Sequence, residues 1–191
     1  MSTERKEAIL DEAMKLIIEN GLNELTMSKV AQRMEFSEPA MYRHFKNKQD
    51  LVISMIQRIS GCFAEVFQKF DQDEAPEVFL PKYFEAQLQY LEKVRGVTLL
   101  FLSESAFNHD PAIRQELQKM FRSQTGRVAA YLELAAARDQ IRQEVDPAAA
   151  SLVYMGTVQA IITRYLLSGQ TASVFDSSRP ALDVFLKGVI A

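Results

Sequence analysis

Tryptophan is absent, cysteine occurs once, and there are only seven glycines and six prolines in 191 residues. A lone Cys62 excludes an internal disulfide and any cysteine-based metal cluster, and makes an intracellular, cytoplasmic location the default expectation. So few turn-forming residues argue against a turn-rich β architecture. No apolar run reaches the roughly 18 residues a membrane helix needs, and the opening "MSTERKEAIL" lacks the apolar stretch of a signal peptide. Catalytic sets are missing too. The two histidines, His44 and His109, lie in separate segments, and no Gly-rich phosphate loop, HExxH or Ser-His-Asp set is present. The "NHDP" around His109 offers one imidazole and one carboxylate, too few to hold a metal. The expectation is a non-enzyme with no cofactor and no metal.

What remains is dominated by Met, Leu, Ala, Glu, Gln, Lys and Arg, all good helix formers, so the fold class reads all-α. The chain is acidic overall, at −3. Between Thr26 and Lys48, however, Lys29, Arg33, Arg43, Lys46 and Lys48 face only Glu35 and Glu38, a local +3 that leaves −6 elsewhere. A basic island on an acidic protein is the electrostatic footprint of a nucleic-acid reader with a differently employed second domain.

Periodicity predicts a first helix over about 3–20, with Ile9, Ala13, Leu16 and Ile17 on one stripe and Gly21 as a left-handed stop. Thr26 caps a short second helix burying Val30, Ala31 and Met34; Ser37 caps a third, with Pro39 in its first turn. Asn47 caps a fourth helix, with Asp50 as acidic capping partner, and its stripe runs to about residue 70. "DQDEAP" (71–76) breaks the pattern, and helices follow at about 81–94, 97–107, 111–138, 147–168 and 178–190.

Two short helices joined by a tight turn, the second opening "SEPAMYRHFKNK", have the form of a helix-turn-helix, whose second helix enters the major groove. Tyr42, His44 and Lys48 suit phosphate oxygens, and Thr26, Ser28 and Ser37 add hydroxyls beside helix starts. Base reading falls to Glu38, Pro39, Ala40 and Arg43: Arg43 to guanine, Glu38 to cytosine, Pro39 or Ala40 to a thymine methyl.

The string "LTMSKVAQRMEFSEPAMYRHFKNKQDL" resembles the DNA-binding segment of the TetR family of bacterial transcriptional regulators, over Ala8 to about Leu51. One departure stands out. The family usually has glycine where this chain has Glu35, and a small aliphatic where it has Phe36. A non-glycine residue in a left-handed turn carries roughly 1 kcal/mol of strain.

The resemblance implies a helix-turn-helix domain over 1–48, then a larger helical ligand-binding and dimerisation domain over 49–191, joined by helix 48–70. It implies a homodimer on a near-palindromic double-stranded operator, recognition helices about 34 Å apart, and repression relieved by a small molecule. Tyr83, Gln87, Tyr90, Phe101, Ser105, Phe121, Tyr154 and Arg164 would line an aromatic pocket suited to an apolar or aromatic effector. Met155, Gln159, Thr163, Leu166, Leu182, Phe185 and Val189 would form the dimer face, unless those stripes pack on their own domain. The alternative is a TetR-like chromosome-organising or division-regulating DNA-binding protein controlled by a protein partner.

Overall fold

In the computed structural model, which describes residues 2–98, 101, 110–169, 171, 173–176 and 178–191, the regular structure is helical. The helices are α1 (Ser2–Asn20), α2 (Met27–Arg33), α3 (Glu38–Met41), α4 (Lys48–Gln68), α5 (Pro76–Lys93), α6 (Pro111–Ala136), α7 (Pro147–Leu167) and α8 (Ser178–Val189). Among the described residues the one extended pairing is an isolated antiparallel bridge between Ile141 and Ile190. The helix expected over 97–107 lies outside the described residues apart from 97, 98 and 101.

The chain divides into two compact units, Met1–Ile59 with Val97–Met120 and Ser60–Gly96 with Phe121–Ala191. In the first, Ile9, Leu10, Ala13, Leu16 and Ile17 of α1 are buried together with Val30 and Ala31 of α2, Met41 and Phe45. Met34 is only half-buried. Gly21 stops α1 as expected, but its φ of 86° and ψ of 163° are not those of a left-handed helix cap. That region is open essentially to glycine alone, so the requirement is stricter than a cap would impose.

The caps follow local chemistry. Thr26 Oγ1 accepts from Lys29 N at 3.1 Å, and Asp146 accepts from Ala148 and Ala149 N–H groups. Asn47 Oδ1 accepts from Asp50 N at 2.8 Å; Asp50 answers by accepting from Lys46 N at 2.9 Å, one residue earlier than a standard capping box. Ser37 differs from expectation: it occupies the N-cap position but its hydroxyl makes no capping bond. Pro39 has no N–H to offer, and Ala40 N already donates to the Ser37 carbonyl at 2.9 Å. The hydroxyl is left facing outward on an exposed residue.

In the second unit α5 begins at Pro76, five residues before the expected start, so Pro81 lies inside the helix. An interior proline removes a helical hydrogen bond, which is why the sequence pointed to Pro81 as a first-turn residue. Burial of Phe79 and Leu80, both completely inaccessible, holds the extra turn in place. Rings then stack through the core: Phe79 on Tyr131 at 4.0 Å, Tyr83 on Tyr154 at 6.2 Å, with Phe84 and Phe185 edge-on to Tyr154.

Candidate nucleic-acid interface and effector core

Thr26, Ser28, Ser37, Glu38, Pro39, Tyr42, Arg43 and Lys48 are exposed, while Ala40 and His44 are half-buried. The turn between α2 and α3 is made by Glu35 at φ 55°, the left-handed conformation anticipated for a position that favours glycine. Phe36 N donates to the Ala31 carbonyl at 2.8 Å across this turn, and the Arg5 guanidinium lies 5.6 Å from the Phe36 ring centroid.

The basic island is not uniform. Arg33 Nη2 donates to Glu19 at 2.6 Å and to Asn20 at 3.2 Å, and Nη1 reaches Glu12 at 3.3 Å. The Glu19 hydrogen bond is the main reason its guanidinium is held above its usual range. Lys29 is paired with Glu24, and that hydrogen bond lowers the Glu24 carboxyl. Arg33 is thus a brace between α2 and α1. Among the described residues, Arg43, Lys46 and Lys48 form no ion pair. The unpaired positive charge therefore gathers on the end of the recognition segment and the N-terminus of α4, where the helix dipole adds to it. Glu38 accepts from Tyr42 OH at 3.4 Å, a long contact that aligns the two side chains one turn apart.

The second unit holds the other constellation. Tyr83 and Gln87 on α5 and Tyr154 on α7 are fully buried, and Gln124 on α6 is nearly so. Tyr154 OH donates to Gln87 Oε1 at 2.8 Å. Among the described residues of this unit, the buried donors Tyr83 OH, Gln87 Nε2 and Arg127 Nη1 have no hydrogen-bond partner. Burial pushes the Tyr83 hydroxyl far above its ordinary value while the Arg127 charge pulls it back; burial, then Tyr83, raises Tyr154.

Of the other residues expected to line a pocket, Tyr90 is half-buried against Phe63 at 5.0 Å. Phe101 is buried in the first unit, and Ser105 lies outside the described residues. Phe121 and Arg164 are exposed. The inward stripe of α6 takes Leu117, Met120, Gln124 and Val128, so Met120 occupies the buried register and Phe121 does not. Arg127 was missed, although an arginine beside buried Gln124, Val128 and Tyr131 on one helical stripe is a legible irregularity.

Along α7 and α8 the exposed face is in a different register from the one expected. Met155, Leu182, Phe185 and Val189 are buried within their own unit, and Leu166 is half-buried. Gln159 and Thr163 do face outward, beside Gly156 and Ala160. Val153 and Val184 are 59% and 74% exposed, flanking a shallow groove lined by Ala150, Thr157, Ala181 and Gly188. Among the described residues no helix is long and apolar enough to cross a membrane, and no group of three metal-ligating side chains occurs.

Comparison with known proteins places these features. Residues 9–55 match the model of bacterial regulatory proteins, tetR family. The fatty acid metabolism regulator protein of Bacillus subtilis is 24% identical over 186 residues, 95% of this chain and 93% of the relative. Two solved structures share the fold. FadR from Bacillus subtilis in complex with stearoyl-CoA has a TM-score of 0.82 at 18% identity, over 94% of this chain and 97% of that one. The SmeT–triclosan complex has 0.81 at 22%, over 97% and 91%; SmeT is the repressor of the Stenotrophomonas maltophilia multidrug efflux pump SmeDEF. The matching family segment lies on the helix-turn-helix that carries the unpaired basic residues, so residues 9–55 form a TetR-family DNA-binding segment, and the chain as a whole is similar to TetR-family transcriptional regulators.

Proposed function

We propose that this regulator is a cytoplasmic homodimeric repressor, neither enzyme nor cofactor carrier, released from a near-palindromic operator by a small effector of largely apolar or aromatic character. In this reading residues 1–48 bind DNA and 49–191 bind effector and dimerise, with α4 common to both tasks. Arg43 reads a guanine, Ala40, Pro39 and Glu38 touch neighbouring base edges, and Tyr42, His44, Lys48, Thr26, Ser28 and Ser37 hold phosphates. The outward face of α7 and α8, with Val153 and Val184 uncovered, supplies the two-fold contact.

The observation that carries the reading is the set of buried, unpartnered polar atoms inside the second unit. A purely structural helical body fills its core with apolar side chains or pairs its polar groups. Support for an apolar effector comes from relatives: FadR is solved with stearoyl-CoA and SmeT with triclosan.

The test is selection of bound duplexes from a random pool at near-physiological salt, with Arg43→Ala alongside. A near-palindrome is expected, and the variant should lose discrimination at one position per half-site, by about 1–3 kcal/mol. A pool that never converges while binding stays strongly salt-dependent would replace the repressor with an architectural role.

A further inference from the structure

The buried orphan atoms of the second unit are chemically one-sided. Gln87 gives its carbonyl oxygen to Tyr154, which fixes the amide and leaves the Nε2 hydrogens without an acceptor. Tyr83 lies one turn earlier on the same face of α5, its ring parallel to Tyr154 within 2°, and its hydroxyl also has no partner. Arg127 Nη1 is buried and unpartnered, and its charge is the one that reaches the Tyr83 hydroxyl. All three can donate, and among the described residues none of the three makes a hydrogen bond. The remaining orphan, Glu74 Oε2, belongs elsewhere: that carboxylate pairs with Lys82 and acts on Tyr131.

A buried donor left without a partner costs stability, and a cationic one costs more. What the cluster lacks is an acceptor-rich group, and one guanidinium calls for one negative charge. A carboxylate offers two oxygens with roughly four lone-pair sites and meets arginine bidentately. A phosphate dianion would bring a second charge into a site with nothing to balance it. Phe79, Phe84 and Phe185 make the surroundings apolar.

We propose that the second unit binds an apolar molecule bearing a single carboxylate, received by Arg127, Tyr83 and the amide of Gln87. The proposal rests on the effector-relieved reading above and names the chemical class of its effector.

Matched probes separate the alternatives on the full-length protein: dodecanoate, dodecanol and dodecanoyl-CoA, with 4-phenylbutyrate and 4-phenylbutanol as an aromatic pair, by calorimetry and by release from the selected operator. At least one carboxylate is expected to bind tenfold or more tightly than its alcohol. Arg127→Gln should erase that preference while leaving the alcohol's affinity unchanged, which also reports that the variant is folded. Tyr83→Phe, which removes no structural bond, should weaken the carboxylate several-fold. Equal affinity for acid and alcohol, or a preference that survives Arg127→Gln and Tyr83→Phe, overturns the proposal. Binding and operator release by the CoA ester or an alcohol but by no carboxylate also overturns it, and leaves the repressor reading intact. A carboxylate that binds through Arg127 yet leaves DNA binding unaltered supports the site and sinks that reading.

Discussion

Arg33 Nη2 donates to Glu19 at 2.6 Å, tying α2 to α1 with a residue that by sequence position belongs to the basic island. Its charge is therefore engaged within the fold, whereas Lys48 begins α4 with no ion pair among the described residues. Arg33→Ala is expected to lower the melting temperature and leave the salt dependence of operator binding as it was. Lys48→Ala should do the reverse: unchanged stability, and a slope of log affinity against log salt shallower by about 1. Equal slopes for Lys48→Ala and the parent would remove Lys48 from the phosphate contacts.

The turn at Glu35 offers a stability test independent of DNA. At φ 55° the left-handed backbone costs a non-glycine residue about 1–2 kcal/mol, against roughly 0.5–1 kcal/mol for glycine's greater freedom when unfolded. Glu35→Gly should therefore stabilise by up to about 1 kcal/mol, and the β-branched Glu35→Val should destabilise. Urea titration reads both; stabilisation by valine would mean the turn is not held left-handed.

Gly96 and Gly169 have similar backbones, φ 61° and 65°, in different surroundings. A Cβ on Gly96 would lie 2.7 Å from Leu166 Cδ1 and 3.0 Å from Ile162 Cγ2, whereas one on Gly169 meets nothing within 4 Å. Alanine at either site carries the left-handed term of about 1–2 kcal/mol. At Gly96, Leu166 must also leave its rotamer, so that variant should be less stable by about another 1 kcal/mol. Equal midpoints in parallel denaturant titrations would contradict this packing.

Two tyrosines of the aromatic core should behave oppositely. Tyr154→Phe strands Gln87 Oε1 and should destabilise by about 1–3 kcal/mol; Tyr83→Phe removes an orphan hydroxyl and should be neutral or stabilising without ligand. Both hydroxyls are raised in the folded state, chiefly by burial, so the unfolded chain releases these protons first. Their contribution is complete below the unfolded value of 10.0 and is lost as pH rises above it. The loss should run at roughly 1.4 kcal/mol per pH unit for each tyrosine. Either phenylalanine variant should make the alkaline decline of urea stability shallower by that amount.

The outward register of α7 and α8 predicts which substitutions separate the protomers. Val153→Glu and Val184→Glu, on exposed residues, should give a folded monomer by analytical ultracentrifugation with weakened operator binding. Leu182→Ala, on a buried residue, should instead lower stability by about 2–5 kcal/mol. A dimer that survives both glutamates lies on another face.

By itself the sequence determined what depends on near neighbours. The caps at Thr26 and Asp146, the starts at Pro111 and Pro147, and the helix-turn-helix with its Glu35 turn all rest on contacts within a few residues. Backbone chemistry and helical spacing make such contacts readable along the chain. Tertiary structure alone decided the rest. It started α5 at Pro76 because Phe79 and Leu80 found a core, engaged Arg33 with Glu19, and turned Leu182 and Phe185 inward while leaving Val153 and Val184 outside. It also brought Gln87 to Tyr154, 67 residues away, and buried the Nη1 atom of Arg127 with no hydrogen-bond partner among the described residues. Helical periodicity says which residues share a stripe. Only the packing of distant helices says what that stripe meets, and whether its polar atoms find a partner.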